Sequence, residues 1–394
     1  MSKYSFSFSS PVLMATSAFP PIPGGSSIIM KNLLGAFDPG SMVLALHRSP
    51  MRTEEDRLFI PGYDVMLGFR RAKVIDQTLR RFQVPLAARR ISNITRKHGC
   101  GAIVGVFPNI FMLDAACRAA RQADLPFLPY VHDTIAESMQ GGNFAAYARR
   151  VNRDVLKNAQ HLIVATGGLE KFFHHKYGVY PTVVPHSFPE STSIFTDSST
   201  PKRTVFWSGA VYSINDKALH RVFDAVKQID YARLVIASAQ GRESLSLLGF
   251  DGPRLDTHFF PARQRDDYLR FVRQQGVHVL ALNWPDETVV HPDELSTILP
   301  TKTPEYLASG RPVLVHCPKG YFLFEFLHRR SCGEFVSAPS TDAVRVALEK
   351  LLTDRTRCER LGRLGQEVAG EFSLERVSRI FHGAIERALS NSAS

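Results

Sequence analysis

The sequence predicts an α/β protein built from two doubly wound domains. Short apolar runs rich in β-branched residues alternate with longer segments of helical period, as expected for parallel strands joined by crossover helices. The 394 residues are enough for two or three domains of roughly 150 residues each. A stretch rich in Ser, Thr and Pro between Pro181 and Arg203 divides the runs into two series, so we place the domain boundary there.

The first series of runs opens with a strand, a glycine loop and a helix. Pro11 to Ala18 predicts the strand, FPPIPGG the loop and SSIIMKNLLGAF the helix, which together form the opening unit of a doubly wound sheet. Four apolar side chains of the helix are predicted to share one face: Ile28, Ile29, Leu33 and Leu34. The later strand candidates are Met42 to Leu46, Tyr63 to Leu67, Ala102 to Phe107, Phe127 to Val131 and Leu162 to Ala165.

The second series of runs begins with a strand at Thr204 to Trp207 and a helix at about Lys217 to Val226. Its further strand candidates are Arg233 to Ala237, His258 to Phe260, Val277 to Ala281, Val313 to His316 and Gly333 to Val336. Asp342 to Leu352 predicts a late helix. We therefore predict two Rossmann-like domains at 1–187 and 188–372, and a terminal helix at 373–394 as a candidate to cross back to the first domain. Ligands of such sheets bind outside the carboxyl ends of the strands, so we expect the site in a cleft between the two domains.

Charge and cysteine content exclude several classes of protein. Lys and Arg number 48 against 37 Asp and Glu, a net charge of +11, which attracts acidic partners but does not by itself indicate nucleic acid. The five cysteines form no CxxC pair and have no metal-type spacing, so we expect neither a disulfide framework nor a zinc site. The sequence shows no secretory signal and no run of 18 apolar residues. These features predict a cytoplasmic protein.

The most informative segment is PTKTPEYLASGRPVLV, Pro300 to Val315. It predicts a loop, a short helix from Pro304 to Ser309, a stop at Gly310 and a buried strand. Lys302 and Glu305 then lie at the amino end of the helix, where an anion is favoured. The alternative is that Glu305 only complements the helix dipole while Lys302 is solvated.

The segment KTPEYLASGRPVL resembles the donor-binding signature of GT-B glycosyltransferases of family 4, and AFPPIPGG resembles that family's first loop. Further matches follow in the expected order: YVHDTI (Tyr130 to Ile135), VVPHSF (Val183 to Phe188) and FWSGAV (Phe206 to Val211). Because the matches span nearly the whole chain, the resemblance is more specific than any single motif. It implies a GT-B enzyme that moves a sugar from a nucleoside diphosphate sugar to a hydroxyl of a glycan or glycoconjugate, with retention of configuration, in the biosynthesis of a surface polysaccharide. No DxD triplet occurs, so we expect no metal and no cofactor beyond the donor.

The resemblance assigns donor-site roles to four residues of the second domain. Glu305 matches a carboxylate that accepts hydrogen bonds from the donor ribose. Lys302 has the spacing of a lysine that holds the pyrophosphate and offsets the charge of the departing diphosphate. Gly209 and Gly310 complete the implied donor site.

The resemblance also implies three functional residues in the first domain. His132 follows a predicted strand and corresponds to a histidine that contacts the donor sugar; a structural histidine is the alternative. Gly24 and Gly25 would bring backbone amides close to a phosphate or to the acceptor, unless this pair is only a tight turn.

Two departures from the family pattern bear on the donor site. The family's first glutamate falls at Thr297, with Glu294 nearby but out of register. Ala210 replaces the arginine of the family's phosphate clamp, and Lys217 is displaced from the lysine position. Either Lys302 takes over the phosphate role or catalysis is impaired. The alternative function is therefore a noncatalytic nucleotide-sugar-binding or scaffold protein of the same fold.

The segment from Arg70 to Lys97 contains nine basic residues and one acidic residue, Asp76. An apolar stripe at helical spacing runs through this segment: Val74, Ile75, Thr78, Leu79 and Phe82. One interpretation is a basic amphipathic helix that touches anionic lipid at the inner face of the membrane and presents a lipid-linked acceptor. Others are an acidic glycan acceptor, or a core-facing stripe with a solvated basic face. Signatures of nucleic-acid binding are lacking, so nucleic acid is not an expected partner.

Overall fold

The structure is a computed structural model that describes residues 5–17, 19, 25–47, 61–66, 73–138, 142–188, 203–261 and 264–392. Its contacts divide the chain into two compact units. The first unit comprises Met1–Ser187 together with Leu374–Ser394, and the second comprises Phe188–Ser373. Each unit contains one parallel sheet, with seven strands in the first and six in the second.

The strands of the first unit are β1 (Val12–Thr16), β2 (Met42–His47), β3 (Gly62–Met66), β4 (Ala102–Phe107), β5 (Phe127–Val131), β6 (Ile163–Val164) and β7 (Thr182–Val183). They are ordered β3-β2-β1-β4-β5-β6-β7. In β1, Leu13 packs in one core layer and Met14 in the layer on the opposite face. The sheet is therefore buried on both faces, which explains why its strands are continuous apolar runs in the sequence.

The helices before the domain boundary are α1 (Gly25–Leu34), α2 (Lys73–His98), α3 (Ile110–Ala123), α4 (Gly142–Asn158) and α5 (Gly167–Tyr177). In α1 the buried apolar face is Ile29, Met30, Leu33 and Leu34. Ile28, predicted for this face, is half-buried. The difference arises because Met30, one turn before Leu33 and Leu34, fills the core layer on this side of the sheet.

The strands of the second unit are β8 (Thr204–Ser208), β9 (Arg233–Ala237), β10 (Leu255–His258), β11 (Val277–Ala281), β12 (Val313–His316) and β13 (Glu334–Val336), in the order β10-β9-β8-β11-β12-β13. Its helices are α6 (Asp216–Lys227), α7 (Arg242–Leu247), α8 (Arg265–Arg273), α9 (Pro292–Thr297), α10 (Thr303–Ala308), α11 (Phe322–Arg329), α12 (Thr341–Thr353) and α13 (Arg355–Ala369). The strand order changes direction between β8 and β11, which is the position where doubly wound sheets bind ligands.

The last helix, α14 (Leu374–Ser392), belongs to the first unit. Its Phe381 and Ile385 are buried in the core layer that contains Met14. The amino-terminal segment also contacts this helix, because the backbone N–H of Ser9 donates to Glu386 Oε1 at 2.8 Å. Burial of an apolar face and hydrogen bonding thus attach the end of the chain to the first unit.

Most predicted strands are confirmed to within two residues, one is displaced, and one strand was not predicted. The strand predicted at His258 to Phe260 lies earlier, at Leu255–His258, where it pairs with β9. Phe259 follows the strand and is exposed. β7 lies within the segment assigned to the domain boundary, because its two residues are too short to give a periodic signal.

Helix α2 contains the described part of the basic segment, and only one of the predicted orientations agrees with it. Its buried side chains, within the part described, are Val84, Ala87, Ala88, Ile91, Ser92 and Thr95. Phe82 is 77% exposed and Leu86 is 49% exposed, so a core-facing stripe that includes Phe82 is wrong. Phe82 and Val84 are two positions apart, about 200° around the helix, which places them on opposite faces. The side chains at positions 70–79 lie outside the description.

The described residues contain neither a disulfide bond nor a cluster suited to a metal ion. The five cysteines are buried and free. No cluster of three or more His, Cys, Asp or Glu side chains suited to a metal ion occurs in the described part of the chain. None of the helices described is both long and apolar enough to span a membrane.

Candidate active site

Two of the predicted donor residues meet at the carboxyl end of β8, the strand beside the switch point of its sheet. Lys302 directly precedes α10, and its Nζ donates to the carbonyl oxygen of Ser208 at 2.5 Å. The same amine lies over the ring of Trp207. Gly209 follows with φ of 104°, and a Cβ on it would lie 3.8 Å from Lys302 Nζ. Lys302 is therefore held against the end of β8 and is not a solvated side chain.

The surroundings of Lys302 disfavour its charge. Burial lowers its pKa well below the ordinary value for lysine, and the nearby Glu305 carboxylate opposes that shift only in part. An anion that binds beside this amine would restore its preference for the charged form. The amine is thus suited to an anionic ligand.

Glu305, on the first turn of α10, has protein partners on both carboxylate oxygens. Arg265, at the start of α8, forms an ion pair with Oε1. Tyr268, one turn further along α8, donates to Oε2 at 3.0 Å. The Glu305 side chain is only 11% exposed. A carboxylate oxygen can accept two hydrogen bonds, so each oxygen retains capacity for a further donor such as a ribose hydroxyl.

Three hydroxyl groups connect Glu305 to β8. Ser208 Oγ lies 2.9 Å from Tyr268 Oη and 3.0 Å from Tyr306 Oη, and Tyr306 Oη accepts the backbone N–H of Ser208 at 2.7 Å. Burial raises the pKa of both tyrosines, so they remain protonated. Because each hydroxyl has one proton and Tyr268 donates to the carboxylate, Ser208 donates to Tyr268 and Tyr306 donates to Ser208. These hydrogen bonds fix α8 and α10 against the end of β8.

Sequence reasoning missed Arg265, Tyr268, Ser208 and Tyr306 as members of this cluster. Arg265 and Tyr268 lie on the helix that follows β10, so one signal was available: helices after parallel strands begin at the edge of the sheet where ligands bind. Their approach to Glu305 spans about forty residues of chain, and no local pattern encodes it.

The loop after β8 lacks the clamp cations of the family pattern. Ala210 is exposed at the arginine position. Lys217 is 57% exposed and lies 3.9 Å from the Asp216 carboxylate. Two side-chain amides hold the loop: Gln240 Oε1 accepts the N–H of Val211 at 2.7 Å, and Asn283 Nδ2 donates to the Ser213 carbonyl oxygen at 2.9 Å. The loop is therefore positioned through hydrogen bonds to its backbone.

Gly310 and Thr297 occupy structural positions. Gly310 follows the end of α10 opposite Lys302, with φ of 71°, and a Cβ on it would meet the side chain of Gln366 in α13. Thr297, at the position of the family's first glutamate, is buried and its Oγ1 donates to the Glu294 carbonyl oxygen at 2.9 Å. The structure thus places Gly310 at a helix contact and puts no carboxylate at position 297.

In the first unit, His132 lies directly after β5 and contacts the start of α1. Its Nδ1 is 3.2 Å from Ser26 Oγ, and its ring centroid is 6.1 Å from that of His186. Burial lowers the pKa of His132 to about 3 and that of His186 to about 4, so both rings are neutral. Within the described residues, His132 Nε2 and His186 Nδ1 have no hydrogen-bond partner. Gly25 is the first residue of α1, whereas Gly24 lies outside the described residues.

No protein-family model and no curated relative matches the chain. Solved structures resemble it over nearly its whole length. HepE of Anabaena in complex with UDP-glucose is 13% identical, covers 97% of this chain and 99% of its own, and has a TM-score of 0.68. A glycotransferase of kitacinnamycin is 11% identical, with coverage of 96% and 98% and a TM-score of 0.55. A putative UDP-N-acetylglucosamine 2-epimerase of Listeria monocytogenes is 10% identical, with coverage of 97% and 98% and a TM-score of 0.58.

At these identities the likeness shows the fold. The protein has the GT-B fold, as the sequence predicted. Proteins of this fold include both a glycotransferase and an epimerase, so the reaction has to be argued from the site.

Proposed function

We propose that the protein is a glycosyltransferase that moves a sugar from a nucleoside diphosphate sugar to a hydroxyl of a glycan or glycoconjugate. The observation that supports this most is the position of Lys302, whose amine is held at the carboxyl end of β8 by Ser208 and Trp207. HepE, of the same fold, is described as a complex with UDP-glucose. Retention of configuration, independence of metal and action in polysaccharide biosynthesis in the cytoplasm are parts of the same proposal.

The proposed chemistry is electrostatic. As the bond between sugar and diphosphate breaks, negative charge builds on the diphosphate, and Lys302 stabilises it. Two unit charges 4 Å apart interact by about 4 kcal/mol at an effective dielectric of 20. When the donor is bound, Glu305 accepts a hydrogen bond from a ribose hydroxyl through its remaining lone pairs. The backbone at Gly209 lies beside the Lys302 amine. His132 is the proposed contact to the donor sugar, and the Gly24–Gly25 loop the proposed contact to phosphate or acceptor.

A screen of nucleoside diphosphates tests the donor site. We expect one of UDP, GDP, ADP or dTDP to stabilise the protein, because a ligand at a hundred times its Kd contributes ~2.7 kcal/mol. For a unit of this size that corresponds to a rise in Tm of roughly 5–11 °C. CMP serves as a control with one phosphate. If none of the diphosphates raises Tm, the proposed function is wrong.

A noncatalytic donor-binding protein is the second candidate, favoured by the exposed Ala210 and by Lys217, which lies beside Asp216. Incubation with the stabilising nucleotide sugar separates the two. A transferase slowly hydrolyses the donor to diphosphate and free sugar in the absence of acceptor, a binding protein leaves it intact, and an epimerase would convert it to an isomer with the diphosphate bond unbroken.

We also propose that α2 contacts an anionic lipid surface, from which the protein takes a lipid-linked acceptor. Phe82 and Leu86 lie one helical turn apart on the exposed face of α2. Exposed basic residues flank them or follow along the same helix: Arg81, Arg89, Arg90, Arg96 and Lys97. Large apolar side chains among cations on one helix face are the composition of an interfacial membrane helix, whereas an acidic glycan would need only the cations.

Vesicle binding tests this surface. The double substitution Phe82→Ser, Leu86→Ser is expected to weaken binding to vesicles of phosphatidylglycerol and phosphatidylcholine by at least 10-fold, since each side chain contributes ~1.5–3 kcal/mol when buried in an apolar phase. Leu247→Ser is the matched control, because Leu247 is 85% exposed on α7 of the second unit. Sedimentation with vesicles measures the effect. Equal binding by the double variant and the wild type would contradict the proposal.

A further inference from the structure

The proposed function gives no role to Arg265, although this cation lies in the cluster around Glu305. It begins α8, directly after the loop that follows β10. Its Nη2 pairs with Glu305, and its guanidinium lies over the ring of Tyr268, 5.0 Å from the centroid. Tyr268 in turn contacts Ser208, the residue whose carbonyl holds Lys302. Tyr268 thus connects Arg265 and Glu305 to the strand end that holds Lys302.

The guanidinium of Arg265 has more donors than this cluster uses. Glu305 is its ion-pair partner, whereas the Lys302 amine donates to the Ser208 carbonyl oxygen. Within the described residues, the side-chain hydrogen bonds of Arg265 go to Glu305 through Nη2 alone. A guanidinium has five N–H donors in a planar fork, so donors remain for a second anion. The Arg265 side chain is also 28% exposed, so part of it is open to a ligand.

We propose that Arg265 is the second cation of the diphosphate site, in place of the arginine that this sequence lacks at Ala210. The inference rests on the proposed function, since it takes a nucleoside diphosphate as the ligand. Glu305 then has two tasks: it accepts the ribose hydroxyl and it orients the guanidinium. Lys302 supplies a point charge, and Arg265 supplies a planar fork that matches two phosphate oxygens.

The alternative role of Arg265 is purely structural, as a partner that positions Glu305. The two roles differ in which ligands they affect. A residue that binds phosphate contributes to the affinity for UDP and for inorganic pyrophosphate but not to that for uridine. A residue that only positions Glu305 contributes to the affinity for uridine as well, because Glu305 is the proposed ribose contact.

Titration calorimetry and competition with UDP, uridine and inorganic pyrophosphate test the inference; if the screen selects another base, its diphosphate and nucleoside replace UDP and uridine. Arg265→Ala is expected to lower the affinity for UDP and pyrophosphate by roughly 10- to 100-fold, as for loss of a charge-assisted hydrogen bond, and to leave the affinity for uridine within about twofold. Arg265→Lys retains the charge without the planar fork. Its affinity for UDP and pyrophosphate is expected to lie between those of the wild type and Arg265→Ala.

Arg270→Ala is the matched control, because Arg270 lies on the same helix, is exposed and pairs with Asp267. It should bind all three ligands as the wild type does. Unchanged UDP affinity in Arg265→Ala, or an equal loss for uridine and UDP, would overturn the inference and leave the proposed function standing. A wild type that binds neither UDP nor pyrophosphate would overturn both. Urea unfolding of each variant shows whether a loss of affinity arises from misfolding. If Arg265→Ala is misfolded, the affinities of Arg265→Lys decide between the two roles.

Discussion

Replacing Lys302 with methionine is expected to lower the rate of sugar transfer by about 100- to 1000-fold, the range found when one preorganised donor to a developing anion is removed. Methionine retains an unbranched stem that can pack on Trp207, so the substitution removes the charge with little change in packing. The reason for the large effect is position: the ammonium is held at the end of β8 by the Ser208 carbonyl. Initial rates with saturating donor measure it.

Proton uptake on diphosphate binding is a second readout of the same substitution. Burial lowers the pKa of Lys302 in the free protein, and a bound diphosphate raises it again. Between these two pKa values the wild type takes up a proton when it binds UDP, so its affinity falls as pH rises through that window. Calorimetry in buffers of different ionisation enthalpy detects the uptake, which Lys302→Met should abolish.

Lys350→Ala, at an exposed position on α12, is the control for a general loss of positive charge. It should retain the rate and the proton uptake of the wild type. Full activity in Lys302→Met would show that its charge does not act on the diphosphate, and the proposed mechanism would have to be given up.

Replacing Gly362 with alanine is expected to destabilise the second unit by about 3 kcal/mol or more, among the larger effects of single substitutions. Gly362 lies in α13, where a Cβ would overlap the carbonyl oxygen of Gly310 and lie 2.7 Å from its carbon. The obstacle is backbone, which cannot rotate away as a side chain can. Because Gly310 lies two residues after the end of α10, the strain is transmitted to the helix that begins beside Lys302, and we also expect weaker donor binding.

Urea unfolding measures this loss, and Gly370→Ala provides the comparison. Gly370 ends the same helix with helical φ and ψ, and a Cβ there would meet nothing within 4 Å. Alanine at that position should leave stability unchanged or raise it by roughly 0.5 kcal/mol, since alanine loses less backbone entropy than glycine. Equal stability of Gly362→Ala and the wild type would mean that α10 and α13 can separate without cost.

The structure also shows why parts of the site could be predicted from the sequence and others could not. Lys302 and Glu305 lie within one short segment, and the proline and glycine that bound α10 mark its ends, so their placement follows from local rules. Arg265 could not be identified in this way, because its contact with Glu305 depends on how α8 packs on the sheet. The exposure of Phe82 shows the same limit: its segment is helical by composition, but which face is buried depends on the core that Val84 and Ile91 reach.

The sequence by itself determined the α/β class, most of the parallel strands and the position of Lys302 and Glu305 at the start of a helix. These follow from apolar runs buried on both faces of a sheet and from residues that begin and end helices, which act over a few residues. Only the tertiary structure decided that Lys302 rests against Ser208 and Trp207, that Glu305 pairs with Arg265, and that Phe82 faces outward. Those contacts join residues far apart in the chain, so they depend on the packing of whole elements, which no local pattern contains.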